Sequence, residues 1–207
     1  MVLNLFMAFL VVSAVPDDSV WYQLRARYSS LTSLSGEFRE TMHPWADTSS
    51  QTLTGTFAIL MPDRYRIEVA EPHSQTIVGN DSTFWFYLAA QKHAVCQIGE
   101  TGVPLLAFLE PMTDTTATAT VTRDSTGRIV LEISEPDSGY VLANFAFTDF
   151  KFRLDSAAQK IAAFSFTDAW RTAFQFEFHN QKWNPGIPAK TFEFVPPAGT
   201  AIDSIRR

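Results

Sequence analysis

Residues 55–87 read GTFAILMPDRYRIEVAEPHSQTIVGNDSTFWFY. Apolar and polar residues alternate in short runs, and proline, aspartate, glycine and asparagine separate the runs. Alternation with a period of two is typical of strands that bury one face, and the separating residues are typical of turns. No catalytic residue type recurs in the stretch, which ends in four consecutive aromatic residues. It therefore predicts antiparallel strands that present a wall of large apolar side chains.

The same pattern extends through most of the chain. The predicted strands span residues 36–42, 52–60, 65–69, 75–78, 83–88, 94–98, 129–134, 144–154, 160–167, 172–179 and 190–195. No internal repeat or linker separates them, so residues 15–207 are predicted to form one domain. Two short helices cannot cover one face of about ten strands, so the sheet must curl on itself or leave an apolar hollow beneath the helices.

Two predicted helices interrupt the strands. An acidic start suits the N-terminus of a helix over residues 18–33, which places Leu24, Tyr28 and Leu31 on one face. Pro104 suits the first turn of a second, short helix, whose following residues are apolar on nearly every side. Such a helix must itself be buried or must cover an apolar surface.

The composition narrows the classes of function. The chain has 207 residues, a formal net charge of −6 and 18 phenylalanines. A nucleic-acid partner requires a basic patch, and the sequence contains no long run of Lys or Arg. So many aromatic rings are compatible with a solid β-rich core or with the lining of a cavity, and both interpretations remain open at this point.

The N-terminus predicts export. Residues 2–15 read VLNLFMAFLVVSAV, which is too short for a membrane-spanning helix but suits the apolar region of a signal peptide. Small residues at positions 12–14 suit cleavage before Val15, so residues 1–14 are the predicted signal peptide. No cysteine lies near this point, so the exported chain is expected to be soluble and without a lipid anchor.

The sequence offers no positive sign of catalysis. Its four histidines are scattered without metal-ligand spacing, and no phosphate-binding loop or GxSxG motif occurs. The single cysteine, Cys96, lies in a predicted strand and excludes an internal disulfide. The chain is therefore predicted not to be an enzyme and to use no metal or cofactor.

Five segments, taken together, resemble the outer-membrane lipoprotein carrier (LolA-like) family. Residues 55–62 (GTFAILMP) resemble its GxLxxxRP strand and turn, and residues 65–68 (YRIE) resemble its FRWE-type strand. Residues 78–87 are similar to its SDGxxxWxY turn and strand, and residues 101–105 to its central helix. Residues 192–199 (FEFVPPAG) resemble its FxFxPPxG ending.

The resemblance implies a fold and a function. The fold is an unclosed, half-barrel antiparallel sheet, here of about ten to eleven strands, that covers an apolar cavity beneath a helical lid. The function is periplasmic binding of the acyl chains of lipoproteins and their transfer from the inner to the outer membrane. The implied partners are acylated lipoproteins, an ATP-driven inner-membrane transporter that releases them and an outer-membrane acceptor, and the carrier is expected to be a monomer.

The resemblance and the alternation together predict the site. The predicted cavity wall consists of Phe57, Ile59, Tyr65, Ile67, Val69, Trp85 and Tyr87. The predicted lid consists of Leu24, Tyr28, Leu31, Val103, Leu105, Leu106 and Phe108. Met61 stands where the family has an arginine that is thought to hold the lid, so a flexible thioether could make an apolar contact there instead.

Three alternatives stay open. The predicted wall and lid could form a solid core. The chain could be a lipid-sensing envelope-stress regulator on the same fold, but such regulators carry a further C-terminal domain and this sequence stops at Arg207. It could also be a lipid hydrolase whose nucleophile the sequence does not reveal.

Overall fold

The computed structural model describes residues 17–45, 49–80, 83–98, 104–134, 140–142 and 145–206. The predicted signal peptide, residues 1–14, lies outside them. The helices are α1 (Asp17–Ser29) and α2 (Glu110–Thr113), with 3-10 segments at Ala89–Gln91, Pro104–Leu109 and Ala189–Phe192. The strands are β1 (Ser33–His43), β2 (Gln51–Leu60), β3 (Arg64–Glu71), β4 (Gln75–Asn80), β5 (Thr83–Leu88), β6 (His93–Ile98), β7 (Thr118–Arg123), β8 (Ile129–Ser134), β9 (Tyr140–Leu142), β10 (Phe145–Leu154), β11 (Ile161–Asp168), β12 (Ala173–Trp183) and β13 (Ala201–Arg206).

All thirteen described strands belong to one sheet, in the order β13-β6-β5-β4-β3-β2-β1-β12-β11-β10-β8-β7, with β9 paired to β10. Neighbouring strands are antiparallel except β13 and β6, which are parallel. The two ends of the order, β13 and β7, leave the sheet unclosed. The predicted fold class, an unclosed antiparallel sheet with few helices, is confirmed.

The strand predictions differ from the structure in three places. β7 was missed because its apolar residues, Ala119 and Val121, are small, and β9 has only three residues. The strand predicted at residues 190–195 is wrong, because the chain there forms the 3-10 segment Ala189–Phe192 and then continues without strand pairing. Pro196 and Pro197 have no backbone N–H to give to a sheet, and the final strand forms beyond them as β13.

One face of the sheet, called the inner face from here on, carries the main core. α1 and residues 104–113 contribute to the same buried cluster as the inner-face side chains. In β10 the register shifts between Thr148 and Lys151, where Asp149 has a left-handed φ of 58°. This inserted residue allows Phe147, Phe150 and Phe152 all to be buried, which strict alternation would not permit.

The opposite, outer face carries the chain between β12 and β13. Phe192, only 1% exposed, lies in the 3-10 segment that contacts β3 and β4. The Asn80 side-chain amide donates to the Phe192 carbonyl oxygen at 3.0 Å. Arg66 donates to the carbonyl oxygens of Thr191 and Glu193, both at 3.4 Å. Residues 184–200, called the outer strap, are therefore held by one buried ring and by side-chain hydrogen bonds to backbone carbonyls.

Glu40 is an acidic residue buried on the inner face. It lies in β1 opposite Leu53 of β2 and Phe176 of β12, and it is 9% exposed. Burial raises the pKa of the Glu40 carboxyl to about 7, because an apolar environment disfavours the charged form. Ionisation of this one residue therefore opposes folding.

Substitution Phe192→Ala should lower the free energy of unfolding by about 3 kcal/mol, the usual cost of removing a buried ring. Chemical denaturation followed by circular dichroism measures the loss. The control is Val195→Ala in the same strap, where an 84% exposed side chain should contribute almost nothing. Equal effects of the two substitutions would contradict the role assigned to Phe192.

Substitution Glu40→Gln should stabilise the protein at neutral and alkaline pH. The folded-state pKa of Glu40 is raised to about 7 from 4.5. Glu40 therefore does not reduce the free energy of unfolding below pH 4.5, but its ionisation reduces it progressively as the pH rises to 7. The loss amounts to about 3 kcal/mol. Denaturation curves from pH 4 to 8.5 should show the difference between variant and wild type growing over that window and then levelling off. A difference that stays constant with pH would contradict the prediction.

Candidate functional site

The inner face of β2 and β3 carries five of the predicted wall residues. Cross-strand pairs in an antiparallel sheet lie on the same face, and Phe57 pairs with Ile67 while Ile59 pairs with Tyr65. Val69 follows on the same side of β3, and all five side chains are buried. The structure thus brings Phe57, Ile59, Tyr65, Ile67 and Val69 together on one apolar surface.

Trp85 and Tyr87 lie on the other face of the sheet. Ile67 pairs with Ile77, which in turn pairs with Phe86, so the even-numbered residues of β5 point inward. The prediction that Trp85 and Tyr87 belong to the inner wall is therefore wrong. Their rings lie 5.5 and 5.6 Å from the ring of Phe194 in the outer strap, measured between centroids. They hold the strap and do not line the inner face.

Ile77 and Phe84 occupy the inner positions that the two aromatic residues were expected to fill, and both pack against the main core. The sequence contained one signal for this arrangement. Gly79 pairs with Tyr65, and a Cβ atom on Gly79 would lie 2.3 Å from the Tyr65 ring. A glycine within a strand marks such a close approach, so Gly79 indicates which side of β4 the Tyr65 ring covers.

The first part of the predicted lid is α1. The side chains of Leu24 and Tyr28 are buried on this helix, and Leu31 is buried just after the helix ends. The Trp21 indole N–H donates to the Ala117 carbonyl oxygen at 3.0 Å, a contact that the sequence did not reveal. The Ile161 backbone N–H donates to the Tyr28 hydroxyl oxygen at 3.2 Å. These two hydrogen bonds, an exposed third from Arg27 to the Gln159 side-chain oxygen at 3.2 Å, and an apolar face hold α1 against the rest of the chain.

The second part of the predicted lid lies within residues 104–113. Phe108 is fully buried, and its ring centroid lies 5.3 Å from that of Phe178, 5.4 Å from that of Phe164 and 6.0 Å from that of Tyr28. Phe108 therefore links the sheet to α1. Of the other predicted lid residues, Leu105 is buried, Leu106 packs against the core, and Val103 lies outside the described residues.

Phenylalanines from β10, β11 and β12 fill the other half of the inner side. Phe164 and Phe176 stack with centroids 4.6 Å apart and an interplanar angle of 4°. Phe166 stacks on Phe174 at 5.0 Å, and Phe147 meets Phe166 edge-on at 4.7 Å. Phenylalanine rings offer no hydrogen-bonding groups. Any group that packs against these rings is therefore held by shape and apolar contact.

Met61 contributes an apolar contact at the position where the resemblance implies an arginine. Its side chain is partly buried and packs against the main core, while its N–H donates to the Thr32 carbonyl oxygen at 2.9 Å. The nearby Arg66 lies on the outer face, where it pairs with Glu68 and binds the strap. Arg66 therefore does not take over the role of a lid arginine.

Tyr28 and Tyr65 are two titratable residues of this surface. Burial raises the pKa of the Tyr28 and Tyr65 hydroxyls well above the ordinary range, so both stay neutral. Among the described residues, no group of three or more His, Cys, Asp or Glu side chains could hold a metal ion. No helix in the described part of the chain is long and apolar enough to cross a membrane.

The fold has a solved counterpart. The crystal structure of an uncharacterized conserved protein from Thermus thermophilus superposes with a TM-score of 0.53 at 11% identity, covering 91% of this chain and 98% of that one. At this identity the likeness concerns the fold alone.

The sequence matches a named family. An outer-membrane lipoprotein carrier protein of Leptothrix cholodnii is 24% identical over 184 residues, covering 86% of this chain and 82% of its own. One from Neisseria meningitidis serogroup C is 27% identical over 175 residues, covering 82% and 79%. Both are named as carriers and not as enzymes. Residues 29–195 match the family described as outer membrane lipoprotein carrier protein LolA, so the chain belongs to that family.

Proposed function

We propose that this protein is a periplasmic carrier that binds the acyl chains of lipoproteins and moves them from the inner to the outer membrane. The observation that carries the proposal is the inner face, an apolar wall covered by a separate lid. The wall is built by strands of both halves of the sheet, and the lid consists of α1 and residues 104–113. Binding beneath such a lid needs shape and apolar area and no reactive group, so the proposed carrier is not an enzyme.

The energetics of acyl chains require such a surface. Each buried CH₂ group is worth about 0.8 kcal/mol, so two or three acyl chains are stabilised by tens of kcal/mol when removed from water. Exposing the acyl chains to water costs too much free energy for a lipoprotein to cross the periplasm without cover. A carrier must therefore cover the chains, and it must also release them.

The lid supports reversible binding because it already occupies the place of a ligand. The Phe108 ring lies against Phe164 and Phe178 where an acyl chain would make the same kind of contact. Exchanging one apolar group for another changes the free energy little, so chains can enter and leave without breaking strong bonds. Apart from its ring contacts, α1 is held by the hydrogen bonds of Trp21 and Tyr28 and by an exposed one from the Arg27 guanidinium to the Gln159 side-chain oxygen at 3.2 Å.

The apolar contact of Met61 supports a lid that is not held by charge-assisted hydrogen bonds at this position. A thioether adapts its shape to whichever apolar group lies beside it. We infer that lid opening here depends on apolar packing, so its equilibrium responds weakly to salt.

The proposed partners follow from family membership. They are acylated lipoproteins, an ATP-driven inner-membrane transporter that delivers them and an outer-membrane acceptor that receives them. The proposed carrier acts as a monomer, because one sheet and its lid form the whole binding surface. The net charge of −6 does not favour a nucleic-acid partner.

Binding of a synthetic triacylated lipopeptide, measured by isothermal titration calorimetry, tests the proposal. The wild type should bind one lipopeptide per chain. Substitution Phe108→Ala should tighten the apparent affinity by roughly tenfold, because it weakens the closed lid that the ligand must displace.

The matched control is Phe192→Ala, which removes an equally buried ring from the outer strap and should leave the affinity unchanged. A folded wild type that binds no lipopeptide would show that the carrier proposal is wrong. Equal changes in the two variants would show that the ligand does not bind beneath residues 104–113.

A further inference from the structure

Glu40 is an ionisable side chain in the apolar interior, and the proposed carrier function does not by itself require it. Its cross-strand partners are Leu53 and Phe176, and along its own strand the residues on the same face are Phe38 and Met42. All four are apolar, and three of the five side chains, including that of Glu40 itself, are buried. A carboxyl group at this position faces hydrocarbon on every neighbouring strand.

The polar groups near Glu40 do not satisfy it. No titratable side chain of β2 or β12 shares its face. On the next strands outward, the titratable residues of the inner side are Tyr65 of β3 and Asp168 of β11. Asp168 accepts the backbone N–H groups of Trp170 and Thr172. Burial is the cause of the raised pKa of the Glu40 carboxyl.

A neutral carboxyl group offers an O–H donor, and the apolar side chains of Leu53 and Phe176 beside Glu40 supply no acceptor for it. Leaving a buried donor unpaired is unfavourable, and a ligand that supplies an acceptor removes that penalty. Acyl chains bring one, because the carbonyl oxygen of an ester or amide lies at the head of each chain. The chain itself suits the apolar residues around Glu40.

The position of Glu40 along β1 suits the head of a ligand more than its tail. Met42 pairs with Phe174 close to the end of the sheet, and Glu40 lies about 7 Å further in, two strand residues away. Beyond that end lie Trp45 and Trp170, which are 71% and 69% exposed. A group bound at Glu40 is therefore near the edge of the core, and the wall of β2 and β3 continues inward from it.

We propose that the protonated Glu40 carboxyl donates a hydrogen bond to the carbonyl oxygen at the head of a bound acyl chain, and thereby selects ester- or amide-linked chains. This proposal rests on the carrier function and names its polar contact. Ionised Glu40 can only accept hydrogen bonds, so it repels the carbonyl oxygen. Binding should therefore weaken as the pH rises, whereas a site for a ligand ammonium group would show the opposite dependence.

Two synthetic diacylated lipopeptides, identical except for ester- or ether-linked chains, test the proposal by calorimetry between pH 6 and pH 8. At pH 6 the wild type should bind the ester roughly fivefold more tightly than the ether, which lacks the carbonyl oxygen. At pH 8 its affinity for the ester should fall about tenfold, because few molecules then carry the protonated carboxyl.

Two variants separate the hydrogen bond from the charge. Substitution Glu40→Gln keeps a donor, so it should retain the ester preference and lose the pH dependence. Substitution Glu40→Leu should bind both lipopeptides equally at every pH. Equal binding of ester and ether by the wild type, or a preference that persists in Glu40→Leu, overturns this proposal alone. Failure of the folded wild type to bind either lipopeptide overturns the carrier function together with it.

Discussion

Covering one apolar face of a single open sheet is the constraint on which the rest of this structure depends. The described strands turn large side chains to the inner side, and among the described helical segments α1 and residues 104–113 cover it. Phenylalanines from β10 to β12 fill much of the space, and Phe108 joins them to α1. The core and the candidate binding surface are therefore the same set of side chains. A ligand that binds to this surface must displace some of the contacts that these side chains make in the core.

The two faces of the sheet are held by different kinds of contact. On the outer side, Asn80 and Arg66 bind carbonyl oxygens of the strap, while Trp85 and Tyr87 pack on Phe194. On the inner side, the lid is attached mainly through rings and aliphatic groups. Directional hydrogen bonds resist displacement by an apolar molecule, whereas apolar contacts can be exchanged for those of a ligand. In the proposed carrier, the strap would therefore stay in place while the lid exchanges its apolar contacts with those of the ligand.

Polar chemistry inside the core is concentrated in few places. Met61 supplies an apolar contact where the family resemblance implies an arginine, so that position brings no charge to the lid. Glu40 introduces an ionisable group into apolar surroundings, and burial alone shifts its pKa to about 7. A carboxyl group that titrates near neutrality costs stability, and a contact with bound cargo would offset that cost. The same residue thus connects folding, pH and the proposed recognition of acyl chains.

The sequence by itself determined the strand pattern and the apolar residues available to each strand, because strand alternation and the family motifs do not depend on long-range contacts. It predicted an open antiparallel sheet, the inner residues of β2 and β3, and the apolar lid around Phe108. Only the tertiary structure decided which side of each strand faces inward. A one-residue change of register reverses every side chain, and the pairing of β3, β4 and β5 sends Trp85 outward. The interior position of Glu40 likewise came from the pairing of β1 with β2 and β12, since the sequence around it reads like any half-exposed strand.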